Sequence, residues 1–297
     1  MHERVVGWDI GGAHAKAALV EGGLLRDVAQ WPCPLWQGQQ HLDAVLEQAR
    51  QRWPQAWADA ATRHVATMTG EMVDLFETRE QGVVRLATQL AEGLGPHLRL
   101  YAGERGWVAP HAAHRHWAEI ASANWCASAE LVAALRGDAV LVDIGSTTTD
   151  LIAVCDGRVA ARGRSDAQRL ATGELVYQGV VRTPLCVLTP RVPFGGAQVN
   201  VMNEWFATTA DVYRLTGELD AAHDQHDTAD HQPKDRVASL RRLARLIGRD
   251  AHEADDAQWL TLARHWRRLQ LREIRGQLER VIAASGHLSL PADSPAG

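Results

Sequence analysis

Lysine is nearly absent from this chain. Of its 31 basic residues only Lys16 and Lys234 are lysines, and the rest are arginines. An arginine bias of this kind reflects a GC-rich coding sequence, so each remaining lysine draws notice. Cysteine is scarce too: Cys33, Cys126, Cys155 and Cys186 stand far apart, with no C-x-x-C pair. That spacing excludes a zinc ribbon and a small disulfide scaffold, and reads as free thiols in a reducing cytosol. No window approaches eighteen consecutive apolar residues, which excludes a spanning helix, and the early Glu3 and Arg4 argue against a signal peptide. A cytoplasmic protein is expected, without a membrane partner. Excess positive charge is missing as well: 31 Lys and Arg against 36 Asp and Glu leave a net charge of -5, which argues against a nucleic-acid partner. What is present, 297 residues with 46% hydrophobic and 23% charged, is enough for one large globular domain or two.

The apolar run Val5–Ile10 ends in Gly-Gly, and Lys16–Val20 follows before Gly22-Gly23. This predicts a strand, a tight glycine turn and a second strand. Helical periodicity covers 41–61, with Leu42, Val45, Leu46, Ala49 and Trp53 on one face. A short strand at His64–Met68, a helix over 83–94, a strand at 98–102 and an Ala-rich helix over 117–135 are expected next. The opening pattern then returns. Val6-Gly7-Trp8-Asp9-Ile10-Gly11-Gly12 is matched by Leu141-Val142-Asp143-Ile144-Gly145-Ser146, with strands expected at 139–144 and 147–154 and a turn at Asp156-Gly157. A unit repeated at this separation predicts two related lobes, 1–135 and 136–290, followed by a frayed tail at 291–297. The remainder reads as helical, over 203–216, 236–247 and 255–285, with a His- and Asp-rich stretch at 220–235 expected to form a mobile lid carrying Lys234.

A strand that ends in Asp and a glycine turn gathers backbone N–H groups around a concave tip, and glycine lets an anion approach closely. Ser146, Thr147, Thr148 and Thr149 add hydroxyl donors at the second tip. Asp9 and Asp143 suit Mg²⁺ or its water shell. Two such tips facing each other would clamp a diphosphate, and Lys16 would neutralise charge on a leaving group. Other clusters carry less. His111, His114 and His116 read as a solvated loop, and the arginines of 264–275 as a solvated helix face. Trp8 and Trp125 stand beside the motifs and are candidates to line an aromatic substrate pocket.

The doubled tip resembles the two phosphate loops of the actin/sugar-kinase/Hsp70 superfamily. The wording of Gly7–Ala18 and Val142–Asp150 is closer still to the hydantoinase/oxoprolinase-type proteins linked to tetrahydromethanopterin C1 transfer. Supporting stretches are Thr67–Glu71, Tyr101–Glu104, Ala123–Trp125 and Glu204–Leu215, so the resemblance runs from residue 5 to about 285. It implies a two-lobed, actin-like (ribonuclease H-like) α/β fold with mixed sheets, here without the last strand-turn-helix of the superfamily. It also implies a transferase in the biosynthesis of methanofuran or methylofuran, cofactors of C1 metabolism and methylotrophy. Such an enzyme joins an aminomethylfuran-methyl diphosphate to the phenol of a γ-glutamyltyramine or tyrosine unit and releases diphosphate.

On that reading Gly11, Gly12, Gly145, Ser146, Thr147 and Thr148 bind diphosphate with Lys16, and Asp9 and Asp143 hold Mg²⁺ through water. His14, Glu71 and Asp150 are the candidate bases for the phenol proton, and Asp143 also serves the chemistry. The partners expected are the furan diphosphate and the phenolic amine, with a homo-oligomer as an open expectation. Two other readings stay open. One is an ATP-dependent kinase or amidohydrolase of the oxoprolinase type; the other is a non-catalytic nucleotide-binding protein.

Overall fold

The computed structural model describes residues 3–286 and Leu288; the expected tail at 291–297 lies outside them. By its internal contacts the chain divides into two compact units. One holds the residues up to Leu135 together with Arg164–Asp166, the other Arg136–Gly163 and the residues from Ala167 on.

The first unit is built on a six-stranded sheet. Its first three strands, β1 (Arg4–Ile10), β2 (His14–Glu21) and β3 (Leu24–Pro32), form an antiparallel meander. The chain then passes through helices α1 (Gln40–Arg52) and α2 (Pro54–Ala58) to β4 (Arg63–Met68), which lies parallel to β1 on its other side. Helix α3 (Arg79–Leu94) leads to β5 (Leu98–Tyr101), parallel to β4, and β6 (Trp107–Val108) closes the edge antiparallel to β5. The order is β3-β2-β1-β4-β5-β6. An antiparallel 3-2-1 meander continued by parallel 1-4-5 is the ribonuclease H-like order, and the fold is of the actin-like α/β class with a mixed sheet. Two short helices follow, α4 (Trp117–Ile120) and α5 (Asn124–Leu135).

Alternation along β1 and β2 sends Val6, Trp8, Ile10, Ala15, Ala17 and Leu19 into one core with Leu42, Val45, Leu86 and Leu90 of α1 and α3. Trp8 belongs to that core. It is 4% exposed, packs on Trp31 and Trp57, and donates its indole N–H to His64 Nδ1 at 3.2 Å. The expectation that Trp8 lines a substrate pocket is therefore corrected: its position in β1 points inward by strand parity. Trp125 is buried as well, at 5% exposed.

The second unit repeats the hairpin. Strands β7 (Ala139–Ile144) and β8 (Thr149–Cys155) pair antiparallel, and β9 (Arg158–Val159) and β10 (Leu175–Val176) both pair with β8. Helix α6 (Asp166–Thr172), whose first residue counts with the first unit, precedes β10. A separate hairpin, β11 (Arg191–Phe194) with β12 (Ala197–Asn200), turns at Gly195-Gly196, both at positive φ. Three helices finish the unit: α7 (Thr209–Thr216), α8 (Arg236–Arg245) and the 30-residue α9 (Asp256–Ser285). Each has a side-chain start signal, from Thr208 with Asp211, from Asp235, and from Asp255 with Gln258.

Several boundaries differ from the sequence expectation for local reasons. The 41–61 helix breaks at Trp53, because Pro54 disfavours helical backbone in the residue before it. The Ala-rich 117–135 helix is two helices separated by a turn in which Ser122 takes φ +51°. The polar stretch 220–235 is pinned rather than free as a lid. Arg214 of α7 meets Asp224 at 2.6 Å and Arg242 of α8 meets Asp230 at 3.0 Å. Lys234 donates to the Asp224 carbonyl at 2.6 Å. At the hub is buried Asp211, which accepts from Arg242 and Ser239 at 2.8 Å each.

Candidate active site

Each glycine tip is closed in the same way. At the first, Gly11 N–H donates to His14 C=O at 2.9 Å; at the second, Gly145 N–H donates to Thr148 C=O at 2.8 Å. Tying the leading glycine back leaves the N–H groups of Gly12 and Ala13, and of Ser146 and Thr147, as the donors of the turn. A Cβ on Gly11 would lie 2.8 Å from the His14 oxygen, so only glycine closes this turn without a shift.

Each tip is also backed by a second glycine. Behind the first stands Gly70, where an added Cβ would lie 3.3 Å and 3.4 Å from the Ile10 and Gly11 oxygens, and Thr69 N–H donates to Ile10 C=O at 2.9 Å. Behind the second stands Gly179, where it would lie 2.5 Å from Ser146 C and Thr147 N. Val180 N–H donates to Gly145 C=O at 3.0 Å and Arg182 N–H to Ser146 C=O at 2.9 Å. Gly179 itself is held by Gln270 Nε2 and the Thr209 hydroxyl, both donating to its carbonyl, at 2.9 and 2.8 Å. Neither backing glycine was among the expected site residues: Gly70 stood in the singled-out stretch Thr67–Glu71 without a role of its own, and a lone Gly inside Gln-Gly-Val carries no signal.

Around the first tip, pairing sets a row of side chains across three strands. Asp9 on β1 is opposite Lys16 on β2 and beside Thr67 on β4. The Thr67 hydroxyl donates to Asp9 Oδ1 at 3.1 Å, and Lys16 Nζ lies 3.5 Å from Asp9 Oδ2. Lys16 is more than half exposed, so its ammonium is available to an anion. The same ammonium beside Asp9 disfavours a cation there. His14 starts β2 and is buried at 8% exposed. Its carbonyl closes the turn, while its ring lies largely away from solvent.

Around the second tip the same register puts Asp143 opposite Asp150. Asp150 is engaged by the buried Arg169 of α6 at 2.8 Å, whereas Asp143 is exposed at the strand end. An exposed carboxylate at the strand end, followed along the chain by Ser146, Thr147 and Thr148, supplies hard-oxygen donors of the kind Mg²⁺ takes with several waters. Among the described residues no three His, Cys, Asp or Glu side chains gather closely enough to hold a metal ion alone. Mg²⁺ on Asp143 would thus complete its shell with water and ligand oxygens.

Glu71 lies one residue past Gly70, in a site of its own. Its side chain is fully buried under α3, where Gly82 leaves room for it. Ser122 Oγ lies 2.7 Å from Glu71 Oε1 and 2.9 Å from Asp166 Oδ2, and Arg79 Nη2 donates to Ser122 Oγ at 3.3 Å. Burial pushes the Glu71 carboxyl up, against smaller downward pulls from Ser122 and Arg79. Ser122, Asp166 and Arg79 were not expected here. They come from three separate segments, and only the fold assembles them.

The sequence matches the family described as hydantoinase/oxoprolinase over residues 63–289. The chain belongs to the hydantoinase/oxoprolinase family. It is 28% identical over 260 residues to the (4-{4-[2-(gamma-L-glutamylamino)ethyl]phenoxymethyl}furan-2-yl)methanamine synthase of Methanocaldococcus jannaschii, covering 87% of this chain and 76% of that one. The protein of the same name from Methanococcus vannielii is 36% identical over 124 residues, 42% of this chain and 55% of the relative. Among solved structures, an Aquifex aeolicus Ppx/GppA family member aligns at TM-score 0.37 and 11% identity, covering 94% and 92% of the two chains. A ROK hexokinase from Thermus thermophilus aligns at 0.32 and 16%, covering 93% and 89%. Likeness at this level is loose, and the strand order carries the fold assignment for this hydantoinase/oxoprolinase chain. None of its helices among the described residues is long and apolar enough to cross a membrane.

Proposed function

We propose that this chain is a biosynthetic transferase of the methanofuran type, joining an aminomethylfuran-methyl diphosphate to a phenolic amine and releasing diphosphate. The observation that carries the reading is the 28% identity to the M. jannaschii synthase across 87% of this chain. The chemistry of the tips supports it. Each tip offers two turn N–H groups on a backbone already tied in place, and the first adds an exposed ammonium, Lys16. Such donors stabilise charge that grows on a leaving diphosphate without having to reorganise first. Mg²⁺, held through Asp143 and water, would supply Lewis-acid neutralisation of diphosphate charge at the second tip when bound.

The bond that breaks is the furan-methylene C–O bond to diphosphate, and the bond that forms joins that carbon to the phenol oxygen. A furan ring stabilises positive charge on its exocyclic carbon, so leaving-group departure runs ahead of attack. The phenol proton, with an unperturbed pKa of about 10, must pass to a base. The test is diphosphate release from the furan diphosphate with and without a γ-glutamyltyramine-like phenol, with products followed by mass spectrometry. Phenol-dependent release with an ether product is the expected result. Release of phosphate from ATP, with no ether formed from the furan substrate, would overturn it in favour of an ATP-dependent enzyme.

A further inference from the structure

A buried carboxyl, a half-buried one and a serine at positive φ meet at one point of the first unit. Strand β4 runs parallel to β1, so the loops after both strands leave the same edge of the sheet, the edge where ligands of open α/β sheets bind. The glycine tip follows β1, and Glu71 follows β4. Ala121 forms a parallel bridge with Met68, the last residue of β4, which brings Ser122 to the same edge. Asp166 completes the group, with its side chain 18% exposed against none for Glu71.

Hydrogen counting gives this group a direction. A serine hydroxyl has a single proton to donate, yet Ser122 Oγ sits at hydrogen-bonding distance from two carboxyl oxygens, 2.7 Å to Glu71 and 2.9 Å to Asp166. Both contacts are hydrogen bonds only if one carboxyl carries a proton and donates it. A second observation chooses Glu71. Its other oxygen, Oε2, is buried without a hydrogen-bond partner. Leaving a carboxylate oxygen bare in the interior costs far more than leaving a neutral carbonyl oxygen there. With Glu71 protonated, Ser122 accepts from Glu71 and Arg79 and donates its own proton to Asp166. The charged or titratable groups facing the chain are Arg79 of α3, Glu71 after β4 and Asp166 at the head of α6.

We propose that Asp166 is the base that receives the substrate's phenolic proton, and that Ser122 and a protonated Glu71 are positioning residues that fix its orientation through a one-way hydrogen-bond chain. This rests on the transferase reading above. In the step, the phenol O–H bond breaks with its proton passing to Asp166, and the oxygen's electron pair forms the C–O bond as diphosphate departs with the pair from the old bond. Asp166 then returns the proton to water. Glu71, an expected base, is reassigned as a donor.

Three variants and one spectrum test this. Asp166→Asn lowers kcat by about a hundredfold or more with KM little changed, as loss of a general base requires. Glu71→Gln keeps a neutral N–H donor toward Ser122 and therefore retains activity within about threefold. Ser122→Gly suits the positive φ and removes the CH₂OH group that carries the hydroxyl. It takes away the hydroxyl that orients Asp166, and so lowers kcat by about tenfold with KM little changed, a split that a merely structural role would not give. In infrared spectra at neutral pH, the C=O stretch of a protonated carboxyl shifts on ¹³C-glutamate labelling and is lost in Glu71→Gln.

A missing band, or a Glu71→Gln variant as inactive as Asp166→Asn, would overturn the chain's direction. Full activity in Asp166→Asn would overturn the base while leaving the transferase standing. If the wild type forms no ether although the labelled band is present, the transferase reading fails and takes the role of Asp166 with it, while the protonated Glu71 survives.

Discussion

The two glycine hairpins share a backbone and differ in charge. Both close with a glycine N–H bonded to the carbonyl three residues on, and both rest on a second glycine behind the tip. In both, the strand-end Asp faces the residue seven positions later across the ladder. That residue is Lys16 in the first hairpin and Asp150 in the second. The first tip is therefore zwitterionic, with its cation exposed. The second sets two carboxylates side by side, one of them engaged by buried Arg169 and the other exposed. One backbone device thus carries opposite electrostatics, and on the proposed reading the first suits an anion directly while the second suits an anion that arrives with a metal ion. The difference teaches that repetition of a motif fixes where donors stand, while a single cross-strand partner decides what they receive.

The largest expected effect breaks this division. Lys16→Ala and Asp143→Asn should each lower diphosphate release by about 10²–10³-fold while the thermal melt is unchanged, since both side chains are exposed or edge-placed. Excess Mg²⁺ should partly restore Asp143→Asn and leave Lys16→Ala unaffected; equal rescue of both would erase the distinction. Next come the backing glycines. Gly179→Ala drives a Cβ into backbone at 2.5 Å and should cost about 3 kcal/mol in a urea melt. Gly70→Ala meets mainly the end of the Leu35 side chain, at 2.6 Å, and should cost about 1 kcal/mol. Equal costs would mean that the first tip is as rigidly backed as the second.

The smallest effect over the working pH range concerns the first unit's core. Burial holds the His64 imidazole down to about 4, from a usual 6.5. Its folded value is below its unfolded one, so the stability it contributes is complete above about pH 6.5 and is lost as pH falls toward 4. The total is at most about 3 kcal/mol. Protonation at Nδ1 would also set a proton against the Trp8 indole N–H that it now accepts. Glu71 acts in the opposite sense, since its raised value favours the folded state at low pH. The contribution of His64 is therefore read from the difference between wild type and His64→Asn in melts followed by tryptophan fluorescence from pH 7 to 4. Parallel curves would exclude His64 as the source of acid lability.

Much of this architecture was legible because the hairpin motif is local. Asp-Ile-Gly after an apolar run announces a strand end and a turn in one breath, and its recurrence marked both tips. Strand β3 was missed since Leu24–Pro32 is an exposed edge strand whose Arg, Asp and Gln interrupt any apolar alternation. The break at Ser122 was missed because the left-handed turn there is taken by a serine, with no glycine to signal it. Thr67 stood inside a stretch already singled out, and strand pairing alone turns its hydroxyl onto Asp9. The Glu71 group was half visible. The glutamate stood in a recognisable Thr-Gly-Glu, but Ser122 and Asp166 are 51 and 44 residues further along in turn, and no periodicity links them.

Helix α9 has a consequence of its own. Its first half carries Trp259 and Trp266 into one hydrophobic cluster, and its second half carries Ile274 and Val281 into another, beneath β8. At 1.5 Å per residue it is about 45 Å long. Gln270, midway and buried, joins the Gly179 carbonyl behind the second tip and accepts from the Tyr213 hydroxyl. Two clusters threaded on one rod lose their independence: neither melts without shortening the helix that the other needs. The second unit should then exchange its amide protons as a single cooperative block, with the slowest at the middle of α9. An anion settling on the second tip would be felt as slower exchange along the whole helix.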